Sequence, residues 1–323
     1  MKIQKSPKFY DMYRDGITSS MIAKWLTCPK QCEIEYAKGY ASHKQSDAIT
    51  YGNCVHSVLQ QAYSQSTIPL PGLIRTYINR YSERIQDDEA SSEQQEANEI
   101  SYAKAEGVLR YYFVHYQKDF DTTWVITEDT YRVDVGYKDG KVVPLRGKLD
   151  GGFKKNEDSA LWLVDHKCMG QIVLDDILLL LPVDLQINFY LWCMVANGQD
   201  PKGFYYNIIR NPQLKPHRSK GESLEGFTER IAEKVAEDPK HYFFRIKIPF
   251  TREEILNWGK KQLMPILRDM RRWYDSGYKW PEYYNPIALR TRYGLSDMAQ
   301  AIVEGDYSYY YKKSKPHEEL DGD

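Results

Sequence analysis

The spacing of apolar residues predicts helices in the first third of the chain. Three segments have a helical pattern: residues 21–36, 52–63 and 73–117. Thr18 lies just before the first segment and can cap it. In the second segment, Val55, Val58 and Leu59 recur on one helix face. The third has a charged middle, which is typical of a solvated surface.

The pattern then changes to the alternation of β-strands. Strands are predicted at residues 124–137, 142–153, 160–167, 203–210 and 241–250. Residues 184–196 are apolar nearly all round, which indicates a buried helix, and a polar helix is predicted near 222–237. Thr251 and Glu254 form a capping box that opens a long helix, which Pro265 should kink. This order predicts an α/β fold with a central mixed β-sheet flanked by helices.

The element order also predicts how the chain is divided. We expect one domain over residues 1–310, with its core at about 50–210. A helical insertion is expected at about 70–120 and a C-terminal helical segment at about 221–310. The polar residues 311–323 are predicted to be a disordered tail.

Composition narrows the classes of protein to consider. The 44 basic and 45 acidic residues give a net charge of −1, so any contact with nucleic acid must come from a local patch. Five scattered cysteines argue against a disulfide framework. The longest apolar run, Ile177–Leu181, is too short to span a membrane, and the N-terminus lacks a signal-peptide pattern. We therefore expect a cytoplasmic protein.

Three charged residues lie at the ends of two predicted strands that the polar turn KKNEDS connects. Asp150 ends the first strand, and Asp165 and Lys167 end the second. Because strand side chains alternate, Asp165 and Lys167 project from one face while His166 points away. If the strands pair, Asp150 can come close to Asp165. A shared divalent cation would relieve the repulsion between these carboxylates.

Mg²⁺ or Mn²⁺ suits such a site, because hard cations prefer oxygen ligands. The backbone carbonyl of His166 would lie beside the carboxylates as a further ligand. Lys167 could then orient an attacking water or stabilise charge on a phosphate. The alternative is that Asp165 and Lys167 form only an ion pair at a strand end, with Asp150 in a turn.

The motifs of the chain resemble those of the restriction-endonuclease-like PD-(D/E)XK nuclease superfamily. Asp150 followed by Asp165-His166-Lys167 is similar to its acidic, acidic-x-lysine signature. Further elements resemble the RecB-type branch, which includes CRISPR-associated exonucleases and many phage enzymes. These elements are Ser19-Ser20, Cys28-Pro29, Tyr36 to Gly39, Gly52 to His56, Gly147 to Asp150 and Gln186 to Tyr190. The resemblance covers roughly residues 18–210.

The resemblance implies a metal-dependent DNA nuclease, most often an exonuclease of recombination, repair or phage replication. His56 would join Asp150 and Asp165 as a metal ligand. Gln186 and Tyr190, one helical turn apart, would contact the catalytic Lys167 and the DNA backbone. The alternatives are a structural hydrogen bond for His56 and ordinary core hydrogen bonds for Gln186 and Tyr190.

One departure from that branch concerns cysteine. Many RecB-type enzymes hold an iron–sulfur cluster with one early and three late cysteines, but no cysteine follows Cys193 in this chain. We expect no cluster, and Cys28 as a buried structural thiol. The two ends of the chain would then be joined by aromatic and apolar packing of Trp25 and Leu26 on Trp280, Tyr283, Tyr284 and Ile287.

Two further segments have several interpretations. The basic loop at residues 211–222 could follow DNA phosphates or could be a solvated loop without a role. Residues 172–182, IVLDDILLLLP, most simply pack in the core, but could also separate DNA strands or bind a partner protein. At the level of function, the alternatives are a nuclease-fold DNA-binding or assembly subunit without cleavage, and a hydrolase of RNA or nucleotides.

Overall fold

The structure is a computed structural model that describes residues 9–42, 47–85, 91–157, 159–279, 284–291 and 294–320. Its α-helices are α1 (Met12–Asp15), α2 (Ser19–Thr27), α3 (Pro29–Cys32), α4 (Asp47–Ser64), α5 (Pro71–Arg84), α6 (Ser92–His115), α7 (Leu174–Leu180), α8 (Leu185–Ala196), α9 (Leu224–Glu237), α10 (Pro239–Tyr242), α11 (Arg252–Trp258), α12 (Met264–Asp275) and α13 (Ala299–Val303). Its strands are β1 (Tyr40–Ser42), β2 (Thr123–Gly136), β3 (Val142–Lys154), β4 (Leu161–Met169), β5 (Pro201–Arg210), β6 (Phe243–Pro249), β7 (Arg290–Thr291), β8 (Gly294–Leu295) and β9 (Tyr310–Lys312).

The central sheet has the strand order β2-β3-β4-β5-β6. Only β4 and β5 pair in parallel, and the other neighbours are antiparallel. The parallel pair needs a crossover connection, which α7 and α8 supply. The predicted α/β fold with a mixed sheet and flanking helices is confirmed.

Helices cover both faces of this sheet. On β5, Ile208 packs in a core with α2, α8 and α12, whereas its neighbour Ile209 packs in a second core with α4, α6 and α9. In β4, every residue from Leu161 to His166 is buried. A strand covered on both sides is therefore apolar without alternation, and a charged side chain within it, such as Asp165, needs a partner.

The helix predicted over residues 21–36 is not continuous. It ends at Thr27, and α3 begins at Pro29, because the residue before a proline is disfavoured in the helical conformation. Cys28 accordingly has extended angles, φ −157° and ψ 102°. Beyond Cys32 the chain continues as one π-helical segment, Glu33–Ala37.

The C-terminal residues correct another prediction. Residues 311–320 belong to the predicted disordered tail, yet Tyr310–Lys312 pairs antiparallel with β1, and the Lys313 N–H donates to the Gly39 carbonyl. His317 is buried, with its Nε2 3.1 Å from the carbonyl oxygen of Gly16. The polar composition of this segment did not reveal these backbone contacts, which form with residues distant in sequence.

The packing that joins the two ends of the chain also differs from the prediction. Leu26 and Ile287 are 51% and 82% exposed, so neither is buried as expected. Trp280 and Tyr283 lie outside the described residues, and their part of the prediction stays a prediction. The ends meet instead in a small core. Its buried members are Cys28, Ile34, Leu289, Met298, Ala299, Ala301 and Ile302. Cys28 is fully buried, as predicted.

The expected core packing of residues 172–182 holds only in part, since Leu181 is buried in the main core and Ile172 and Ile177 pack against it. Leu178, Leu179 and Leu180 on α7 are 47%, 76% and 59% exposed. By length and composition alone, the longer stretch Leu174–Ala196 could cross a membrane, and 44% of its apolar window is buried inside the protein. This is weak evidence for a membrane span, because the core helix of a soluble protein meets the same criterion.

Candidate active site

A cleft of about 570 Å³ lies between α4, the first three strands of the sheet and α8. All the side chains that the sequence singled out for chemistry line it, together with one acid that it did not. They are His56 on α4, Glu128 on β2, Asp150 on β3, Asp165, His166 and Lys167 on β4, and Gln186 and Tyr190 on α8. Residues from five elements thus converge on one space.

Asp150 lies where the pairing between β3 and β4 ends. The last paired residues are Gly151 and Val164, so Asp150 and Asp165 occupy the next positions on the two strands. One carboxylate oxygen of Asp150 accepts a hydrogen bond of 2.7 Å from the backbone N–H of His166. This bond holds Asp150 against the end of β4.

Lys167 connects the strand to the crossover helix. Its Nζ lies 2.8 Å from Asp165 Oδ2 and donates a hydrogen bond of 2.8 Å to Gln186 Oε1. The amide of Gln186 in turn donates to the hydroxyl of Tyr190 over 2.8 Å. The ion pair of the simpler interpretation is therefore present, and so is the contact between lysine and glutamine that the resemblance implies.

His56 lies at the edge of the apolar face of α4, whose neighbouring Val55 is fully buried. Its Nδ1 is 3.6 Å from Asp150 Oδ2 and 3.5 Å from Glu128 Oε1. The imidazole thus contacts two acids from two different strands.

Glu128 is the site residue that the sequence did not reveal. The pairs Thr127 with Gly151 and Asp129 with Leu149 flank it, so Glu128 lies directly opposite Asp150. Its φ is +58°, in a region uncommon for residues other than glycine. The polar interruption TEDT in an alternating strand was the only signal, and it could equally have marked an exposed bend.

Comparison with protein families gives a match to the PD-(D/E)XK nuclease superfamily over residues 17–260. The chain belongs to this superfamily. Membership implies metal-dependent nuclease activity and a DNA substrate. No match was found among curated proteins.

In this PD-(D/E)XK chain, the contact between Asp150 and His56 shifts the pKa of both groups. Burial would raise the pKa of Asp150, but the nearby His56 imidazole outweighs it and holds that pKa well below its usual range. Burial would likewise lower the pKa of His56, yet Asp150 and Glu128 hold it well above its ordinary value. Without a metal, the imidazole is therefore held as a cation between these two acids.

The pKa of Asp165 is shifted in the opposite direction from that of Asp150. Burial and the negative charge of Asp150 raise the pKa of Asp165 to about 6, although Lys167 opposes this rise. For Lys167, burial is outweighed by the carboxylates of Asp165 and Asp150, so its pKa is raised and the side chain stays protonated. Without a metal the lysine is therefore an ammonium, which can stabilise negative charge.

A buried polar network lies behind His166. Arg245 donates to Asn207 Oδ1 over 3.0 Å, which fixes the orientation of that amide. The Asn207 nitrogen is therefore the group 2.8 Å from His166 Nδ1, and it also contacts the hydroxyl of Tyr112 at 2.9 Å. Since this nitrogen can only donate, His166 Nδ1 accepts and the proton lies on Nε2. Burial lowers the pKa of His166 to about 3, so the ring is neutral.

The donors of the cleft suit a divalent cation. One ligand atom each from His56, Glu128 and Asp150 lies within 4.8 Å of the other two. The two carboxylates are ligands that hard divalent cations prefer, and a neutral imidazole adds a nitrogen ligand. Asp165, which was predicted to share this cation, is paired with Lys167 at the adjoining side of the cleft. The carbonyl of His166 as a ligand remains a prediction.

Proposed function

We propose that this chain is a metal-dependent DNA exonuclease of the RecB-type branch, acting in recombination, repair or phage replication. The observation that carries the proposal is the convergence of two sets of residues in one cleft. One set consists of His56 and Asp150, which can hold a cation, and the other of Lys167, Gln186 and Tyr190, which are joined by hydrogen bonds. An ion pair serving only stability would need neither the glutamine nor the histidine.

In this proposal the metal ligands and Lys167 have different roles. The Mg²⁺ or Mn²⁺ ion that His56 and Asp150 would hold, with Asp165 nearby, supplies charge neutralisation at the phosphate and activation of water. Lys167 has three N–H donors, and its bonds to Asp165 and Gln186 use two of them. We assign the remaining donor to a phosphate oxygen or the attacking water. Gln186, held by Tyr190, keeps the ammonium directed into the cleft.

The exonuclease assignment is supported by the resemblance of the motifs to a branch rich in end-processing enzymes. The expected partner is therefore a DNA end, single-stranded or duplex, with a replication or recombination protein as a further partner. The basic loop at residues 211–222 remains a candidate surface for the DNA backbone.

The test is a cleavage assay with matched linear and circular DNA, single-stranded and duplex, and with RNA. We expect Mn²⁺ or Mg²⁺ to support the release of short products from linear DNA, while circular DNA stays intact and EDTA stops the reaction. Cleavage of circles would show an endonuclease. Preference for RNA would favour the alternative hydrolase, and DNA binding without cleavage under any metal would favour the assembly subunit.

A further inference from the structure

Glu128 and Asp150 form a pair of like charges across two neighbouring strands. The residues on either side of them pair across the two strands, and one oxygen of each carboxylate lies within 4.8 Å of the other, a separation at which two carboxylates repel each other. The Glu128 side chain is only 9% exposed, so water does little to screen this repulsion. The arrangement requires positive charge close to both acids.

Lys148 supplies part of that charge. It lies two residues before Asp150 on β3, and its Nζ is 2.6 Å from Glu128 Oε2. The other oxygen of Glu128 lies 3.5 Å from His56 Nδ1. One carboxylate oxygen of Glu128 therefore contacts Lys148, and the other lies near His56, which also contacts Asp150.

A purely structural ion pair would not explain this position. Burying two charges costs desolvation energy that their attraction often fails to recover. The left-handed backbone of Glu128 adds a strain of about 1–3 kcal/mol. Among the described residues, moreover, the group of potential metal ligands that lie within 4.8 Å of one another is His56, Glu128 and Asp150. The strained residue thus places its carboxylate where a cation would complete the donor set.

We propose that Glu128 is a ligand of the divalent cation, and that Lys148 is an internal counter-charge that the cation displaces. Without metal, Lys148 neutralises Glu128. When a cation binds, Glu128 exchanges the ammonium for the metal, and Lys148 is released into the cleft that it lines, where it meets the phosphate of the substrate. The proposal rests on the metal-dependent function proposed above and adds a device that couples metal binding to substrate binding.

The experiment is calorimetric titration of the full chain with Mn²⁺ alone. We expect Glu128→Gln to weaken Mn²⁺ binding by about tenfold or more, and Lys148→Met to tighten it by about tenfold because the competing charge is gone. Asp129→Asn is the matched control, since Asp129 is the next residue on β2 and is exposed. Its affinity should stay within about twofold of that of the unaltered chain.

The double variant Glu128→Gln with Lys148→Met separates competition from a general loss of structure. It removes both charges and leaves no unpaired buried ion, so it should fold. We expect its Mn²⁺ affinity to be as weak as that of Glu128→Gln alone. If Lys148→Met tightens binding equally in both backgrounds, or if neither single variant differs from Asp129→Asn, the proposal is wrong.

An Asp150→Asn variant distinguishes this failure from failure of the proposed function. If Asp150→Asn abolishes Mn²⁺ binding while Glu128→Gln does not alter it, the proposed role of Glu128 is wrong but the metal-dependent function stands. If the unaltered chain binds no Mn²⁺, both the role of Glu128 and the metal-dependent function are wrong.

Discussion

Lys167 contacts both an acid on its own strand and an amide on a neighbouring helix. The alternation of a strand suffices to predict that Asp165 and Lys167 share a face. The spacing of a helix suffices to predict that Gln186 and Tyr190 do so too. Neither rule shows that the two faces meet, which the structure reveals through the 2.8 Å bond between Lys167 and Gln186.

This bond leads to a prediction for Gln186→Met, which keeps the length of the side chain but loses its oxygen. A hydrogen bond to a charged group contributes about 1.5–3 kcal/mol, so kcat should fall by about 10- to 100-fold. Mn²⁺ affinity should not change, because Gln186 is not among the grouped metal ligands. Kinetic assays together with calorimetry measure both quantities. An unchanged kcat would show that the contact serves packing alone.

Asn207 is a second residue whose role comes from contacts that the sequence does not show. It links Arg245 to His166 within the buried interior. Replacement by leucine would leave a buried guanidinium and a buried imidazole without that partner. Arg245 keeps its ion pair with Asp119, so we expect Asn207→Leu to lower the free energy of unfolding by about 1–3 kcal/mol, measured by urea denaturation. A loss below about 1 kcal/mol would mean that the network is not coupled.

At the level of elements, the predicted order of helices and strands from residue 124 to residue 258 agrees closely with the structure. The period of a strand or a helix is a local property, so β2 to β6 and α8 can be read from the sequence. The break at Cys28 follows from Pro29 and was open to prediction. The pairing of β1 with β9 was not, because it joins residues about 270 positions apart through backbone groups.

The exposed helix α7 allows a test of whether an apolar residue contributes to stability when it is not buried. Leu179 is 76% exposed, so Leu179→Asp should change the free energy of unfolding by no more than about 0.5 kcal/mol. Leu191 on α8 is fully buried, and Leu191→Ala should cost about 2–5 kcal/mol. Urea denaturation of both variants compares the two positions. A large loss for Leu179→Asp would indicate that the Leu179 side chain itself is packed against the protein.

At the level of the whole molecule, the N-terminal helices and the C-terminal segment meet, within the described residues, in a small core around Cys28. Cys28 packs with Met298 and Ile302. In the described residues, the group that could hold a metal contains no cysteine. The resemblance identified Cys28 as a residue of interest, but the partners of its thiol depend on the packing of a segment far along the chain.

Cys28→Ser should therefore leave nuclease activity intact and cost about 1–3 kcal/mol of stability, because it buries a hydroxyl in an apolar core. Urea denaturation and a cleavage assay measure these two effects. The unaltered protein should contain no iron. Visible absorption of an iron–sulfur centre, with iron found by elemental analysis, would contradict this account of how the ends are joined.

The most direct test of the whole account is DNA cleavage by Lys167→Ala beside Lys202→Ala. Both lysines pair with an aspartate two residues earlier, but Lys202 and Asp200 lie at the surface. We expect Lys167→Ala to abolish Mn²⁺-dependent cleavage while DNA binding and the fold persist, and Lys202→Ala to cleave like the unaltered chain. Cleavage by Lys167→Ala at the rate of Lys202→Ala would contradict the assignment of this cleft as the active site.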